Sequence, residues 1–64
     1  MDTFSAELRQ RILAARAALR AAQEAGDLDA ERVYAGELDS HLRLALENDV
    51  TVPPEPSEGP GQPA

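Results

Sequence analysis

The chain has 64 residues, no cysteine, no tryptophan, one phenylalanine and one tyrosine, and a formal net charge of −6 from 12 acidic residues against six arginines. That composition excludes disulfides, thiolate metal sites and cysteine nucleophiles, and it argues against an aromatic base-stacking surface and against a phosphate backbone as partner. No stretch approaches the roughly 20 apolar residues of a membrane span, and Met1-Asp2-Thr3-Phe4-Ser5-Ala6-Glu7 has neither the basic nor the apolar region of a secretory signal. The expectation is a cytoplasmic protein with neither a nucleic-acid nor a membrane partner.

A first helix is predicted over 4–25. Asp2 or Thr3 offers a side-chain oxygen to cap it, and Glu7 follows in the early turns, where the helix dipole favours an anion. Leu8, Ile12, Ala15, Leu19 and Ala22 recur in steps of four and three, a coiled-coil-like heptad seam that Phe4 prolongs. A second line of small residues, Ala14, Ala18, Ala21 and Ala25, runs beside it. Arg9, Arg16, Arg20 and Glu24 hold the other side, and Leu13 falls among them as an exposed apolar residue.

Gly26 and Asp27 form the turn. Glycine takes the left-handed conformation that closes a helix, and Asp27 or Asp29 caps the next one, with Glu31 adding a further anion to its first turn. The second helix, predicted over 28–48, carries Leu28, Tyr34, Leu38, Leu42 and Ala45 on one line, flanked by Ala35 and Leu46, with Val33, Leu44 and Ala30 beyond the edge. Residues 50–64 hold all five prolines. Proline blocks helix continuation and nothing in this stretch builds a core, so it reads as a disordered, acidic, Pro-rich tail following a helical unit at 1–49. Pro53 and Pro56 match a P-x-x-P spacing, but no basic residue flanks them, which favours a solubilising role.

Two helices of about 31 Å, at 1.5 Å per residue, joined by two residues fold as an antiparallel hairpin. Folding about Gly26-Asp27 sets Leu8 near Ala45, Ala15 near Leu38 and Leu19 near Tyr34, and places Arg16 beside Glu37. Charge agrees: residues 1–25 carry four arginines against three acids, and residues 26–49 two against seven. Twelve large apolar side chains lie between Phe4 and Leu46, and two helices touching along one seam cannot bury them all. The surplus predicts a partner for the apolar helix face. A second copy is the first expectation, giving a four-helix bundle, and a different protein the second. The expected interface draws on Leu8, Ile12, Ala15, Leu19, Ala22, Val33, Tyr34, Leu38, Leu42, Leu44 and Ala45.

No constellation of catalytic, cofactor-binding or metal-ligating residues emerges. Asp39-Ser40-His41 has the residue types of a hydrolytic triad, yet consecutive residues on a helix diverge by about 100° and cannot form a relay. Glu37 and His41 share a face, but Leu38 stands where the Glu-x-x-His motif of carboxylate-bridged metal bundles needs its glutamate. The arginines read as solvated surface, with pairs such as Glu7–Arg11 and Arg20–Glu24, and Arg11 lies at the edge of the apolar arc near Phe4. The acidic second helix suggests solubility before imitation of DNA. There is no phosphate loop or dinucleotide fingerprint, so no cofactor is expected.

Ala25-Gly26-Asp27-Leu28-Asp29 resembles the inter-helix turn of tetratricopeptide repeats, although Ala30 is one residue out of step and one helix pair is too few for a solenoid. Ala25-Gly26-Asp27 together with residues 36–45, from Gly36 to Ala45, resembles the short uncharacterised helical-hairpin proteins of actinobacteria. That resemblance spans Leu8 to Asn48 and implies the fold and no activity. The reading is an all-α hairpin, non-enzymatic, acting as a small protein-interaction or regulatory module. A purely structural subunit of a larger assembly is the alternative, and an enzyme or metal site built only on oligomerisation ranks third.

Overall fold

The computed structural model describes residues 2–54. Two helices, α1 (Thr3–Ala25) and α2 (Leu28–Glu47), pack against each other as a hairpin, with no strand among the described residues. Asp2 caps α1, its carboxylate accepting from the Ser5 N–H at 3.2 Å and, through the other oxygen, from the Ser5 hydroxyl. These bonds explain how Ser5, a polar residue, is buried at the start of the helix. They also hold the Asp2 carboxyl below its ordinary range, the Ser5 hydroxyl contributing most, then the Ser5 N–H. Asp27 caps α2 in the same way, accepting from the Ala30 N–H at 3.1 Å.

Both helices end by one device. Gly26 stands at φ 71°, its N–H donates to Gln23 O at 3.2 Å, and the Asp27 N–H donates to Ala22 O at 3.0 Å. This is the Schellman closure, in which a left-handed residue lets two N–H groups satisfy the last carbonyls. A Cβ at Gly26 would meet nothing within 4 Å, so conformation alone calls for glycine there. The end of α2 repeats the pattern without glycine. Asp49 stands at φ 56°, its N–H donates to Leu46 O at 3.4 Å, and the Val50 N–H donates to Ala45 O at 2.9 Å.

That second closure turns the chain back onto the hairpin. Val50 is 8% exposed and joins Leu8, Ile12 and Ala45 in the core, with Leu38, Leu42 and Val52 packed against them. The apolar contact between Val50 and Ala45 is the one that accompanies a Schellman ending. Residues 50–54, expected as the start of a disordered tail, are therefore a structural element. Leu8 and Ile12 of α1 bury Val50, and Val52 and Pro53 each precede a proline, which confines both to extended backbone. An extended backbone places Val50 and Val52 on one side. The rest of the expected tail, with Pro56 of its P-x-x-P match, lies outside the described residues.

The hairpin keeps the expected lengthwise register, with Leu8 and Ala45 in one cluster. Its two flanks sort differently from expectation. Leu19 shares a cleft with Leu38, while Ala15 shares one with Tyr34. Arg16 does not pair with Glu37, because Arg16 lies on the Leu19 flank and Glu37 on the Ala15 flank. Nor does Leu28 join the seam, being 70% exposed. Ten residues at about 100° each leave it about 80° off the Leu38 line.

Two outcomes test this account. Gly26→Ala lowers stability by about 1 kcal/mol, since alanine resists the left-handed region. Gly36→Ala, in the interior of α2 where a Cβ also meets nothing within 4 Å, raises it by roughly 0.5–1 kcal/mol. The urea midpoint of the helical circular dichroism signal reads both, and equal signs would contradict the assignment. Separately, an NMR titration of the Asp2 carboxyl should give a midpoint below 3.8, moving up in Ser5→Ala. The cap's stabilisation is complete above the unfolded value and is lost as pH falls through the lower folded one.

Candidate functional site

The seam has two flanks, and they differ. On the first, the Arg9 side chain donates through Nε to the Thr51 carbonyl at 2.9 Å, and Arg16 donates through Nη1 to the Pro53 carbonyl at 2.7 Å. The two arginines are seven residues apart, two turns of α1, and so stand on one face. They reach alternate carbonyls along one edge of the extended segment, while Val50 and Val52 turn toward the core. Past Pro53 the same flank opens into a shallow cleft lined by Arg16, Leu19, Arg20, Gln23 and Leu38.

Among the described residues, none covers the second flank as residues 50–54 cover the first. A furrow begins at Phe4, Arg11, His41 and Leu44, continues between Ala14, Ala18, Tyr34 and Glu37, and ends at Ala21, Ala25 and Ala30. Arg11 and His41 line both of its first two stretches, and Ala18 and Tyr34 line both of the last two, so the furrow is continuous. Large apolar groups line its first stretch: Phe4 is 47% exposed and Leu44 39%. Charges of both signs lie along it, Arg11 among Glu7, Glu37 and Asp27.

The residues expected at an interface divide between the seam and its flanks. Leu8, Ile12, Ala15, Ala22 and Ala45 are buried, and Ile12 is the largest side chain wholly shielded. Leu19, Tyr34, Leu38 and Leu42 are half-buried, and Val33 and Leu44 are exposed. Leu13 is exposed, as its position among the arginines implies. Of the surface ion pairs, Asp39–Arg43 forms at 2.8 Å with both side chains well exposed, a type that contributes little. Glu7–Arg11 and Arg20–Glu24 do not form. Asp39 thus pairs with Arg43, and His41 faces the furrow, so the Asp39-Ser40-His41 run converges on nothing. Among the described residues no group of three or more His, Asp or Glu is placed to hold a metal ion, and no helix is long and apolar enough to cross a membrane.

The carbonyl contacts of Arg9 and Arg16 were not expected from the sequence, which places both on a solvated face. The readable signal is Val50 and Val52, two β-branched residues at a spacing of two just past the helix end. No family model, curated protein or solved structure matches the chain.

Val50→Ala should lower stability by about 2 kcal/mol, at ~0.8 kcal/mol per buried methylene plus the cavity left behind. Thr51→Ala, at an exposed position whose contact is through the main chain, should change it by less than about 0.5 kcal/mol. Denaturant melts of the two variants provide the comparison, and an unaltered midpoint for Val50→Ala would release the segment from the core.

Proposed function

We propose that the chain is a small non-enzymatic protein-interaction module that works as a dimer of hairpins, the open furrows of two copies packing face to face into a four-helix bundle. One observation carries the reading: one flank of the seam is closed by the chain's own residues 50–54, while the other leaves Phe4 and Leu44 exposed at one end of a furrow that runs on among alanines.

Four further features support it. The alanines allow helices to approach at the short end of the usual 8–10 Å interaxial range. A face about 30 Å long and two helices, or about 20 Å, wide has a footprint of about 600 Å², comparable with the ~800 Å² per partner of a specific interface. The charges on the face are mixed, so a twofold pairing sets Arg11 of one copy against the carboxylates of the other. Tyr34 and His41, half-buried at the middle, bring a polar tip each to the join.

Light scattering from micromolar to millimolar protein is the test, with helicity followed in parallel. Wild type should reach twice the chain mass. Ala14→Glu and Leu44→Asp, both at exposed positions, should remain helical while shifting the dimer dissociation constant upward by at least tenfold. A wild-type chain that stays monomeric at millimolar concentration refutes the pairing.

A further inference from the structure

The covered flank has the features of a peptide site. We propose that the groove holding residues 50–54 binds an extended segment of a partner protein, of the pattern apolar-x-apolar-Pro followed by an acidic residue. The chain's own segment is then the intramolecular competitor for that groove. This proposal rests on the covered flank and is independent of the pairing of open furrows.

The contacts in place are those by which an extended peptide is read. Arg9 and Arg16 donate to the carbonyls of Thr51 and Pro53, groups every peptide has, so affinity at these points does not depend on sequence. Selectivity comes from alternate side chains. Val50 enters the space between Leu8, Ile12 and Ala45, and Val52 packs on the rim of the same cluster. A proline suits the next position because it has no N–H to leave unpaired and holds the backbone extended.

The groove is also longer than the segment described in it. Beyond Pro53 it runs on into the cleft of Arg16, Leu19, Arg20, Gln23 and Leu38, which shares Arg16 with the Pro53 hydrogen bond and Leu38 with the cluster that Val50 joins. Arg20, at the far end, makes no hydrogen bond or ion pair with any described residue. A guanidinium there suits a carboxylate following the proline.

The occupant is lightly held. Val50 is its one buried side chain, Thr51 and Pro54 are exposed, and the turn that delivers it keeps Asp49 at φ 56°, a conformation L residues rarely adopt. A tethered segment nonetheless competes at an effective concentration of about millimolar. The matching segment of a second copy makes the same contacts and meets that competitor with no advantage. A partner segment with larger apolar groups and a well-placed acid gains on both counts, which favours a partner over self-exchange.

The probe is a synthetic peptide with the order of residues 49–55, Asp-Val-Thr-Val-Pro-Pro-Glu, titrated by calorimetry and NMR into the full chain. Wild type should bind it weakly. The full chain carrying Val50→Ser and Val52→Ser should bind it at least tenfold more tightly, with shifts at Leu8, Ile12 and Ala45. Adding Arg9→Ala should weaken binding about tenfold, and Arg20→Ala should matter only while the peptide ends in glutamate rather than glutamine. Should the double serine variant lose its helicity, Asp49→Val loosens the turn without touching the core and should show the same gain. Equal binding by loosened and wild-type chains, or shifts confined to the Ala14–His41 furrow, would overturn the proposal. So would an Asp49→Val mass twice that of wild type at the same concentration, which would assign the groove to a second copy.

Discussion

Two helices joined by a two-residue turn share a single line of contact, and a line of contact leaves two flanks for something else to cover. In this hairpin the seam shields Ile12 fully and Leu8 nearly so, yet buries Leu19, Leu38 and Leu42 only in part. What relieves one flank is the reversal at Asn48-Asp49. The Val50 N–H bonds the Ala45 carbonyl, and the Val50 side chain follows it into the core. The closure satisfies a helix end that would otherwise expose its carbonyls to water, and the same turn supplies the core with an apolar group that neither helix could provide.

The arginines acquire their roles from that reversal. Six of them on an acidic chain suggest a surface held by ion pairs, but exposed pairs contribute little, and the pairing seen between described residues is Asp39–Arg43. Arg9 and Arg16 donate to main-chain carbonyls as well. A guanidinium suits this because its long stem packs along the apolar flank while its head reaches a carbonyl beyond. The hairpin thereby acquires two unlike sides: one closed and lined with donors, the other open and lined with alanines. Both proposals made above, pairing through the open side and peptide capture on the closed one, follow from that difference.

The features that depend on local sequence were legible in it. Apolar spacing in steps of three and four sets the seam, Asp2 and Asp27 supply cap oxygens at short range, and Gly26 meets a left-handed φ that few other residues accept. These are interactions within about five residues along the chain, so the sequence by itself determined both helices, their turn and the antiparallel hairpin. It also placed Leu8 opposite Ala45, since the register of a hairpin is set by its turn.

The fate of residues 50–54 was decided elsewhere. Proline-rich composition argues for a solvated tail, because such residues form no core among themselves. The core that Val50 enters is built by Leu8 and Ile12, about forty residues earlier in the chain, and the donors that hold Thr51 and Pro53 stand on α1. The closing turn has Asp49 where glycine is the usual signal, which hid it from a reading by residue type. Which flank of the seam is covered and which is left open is a property of the packed molecule alone, for it depends on the direction in which the chain leaves α2. That direction is fixed by burying Val50 against residues distant in sequence.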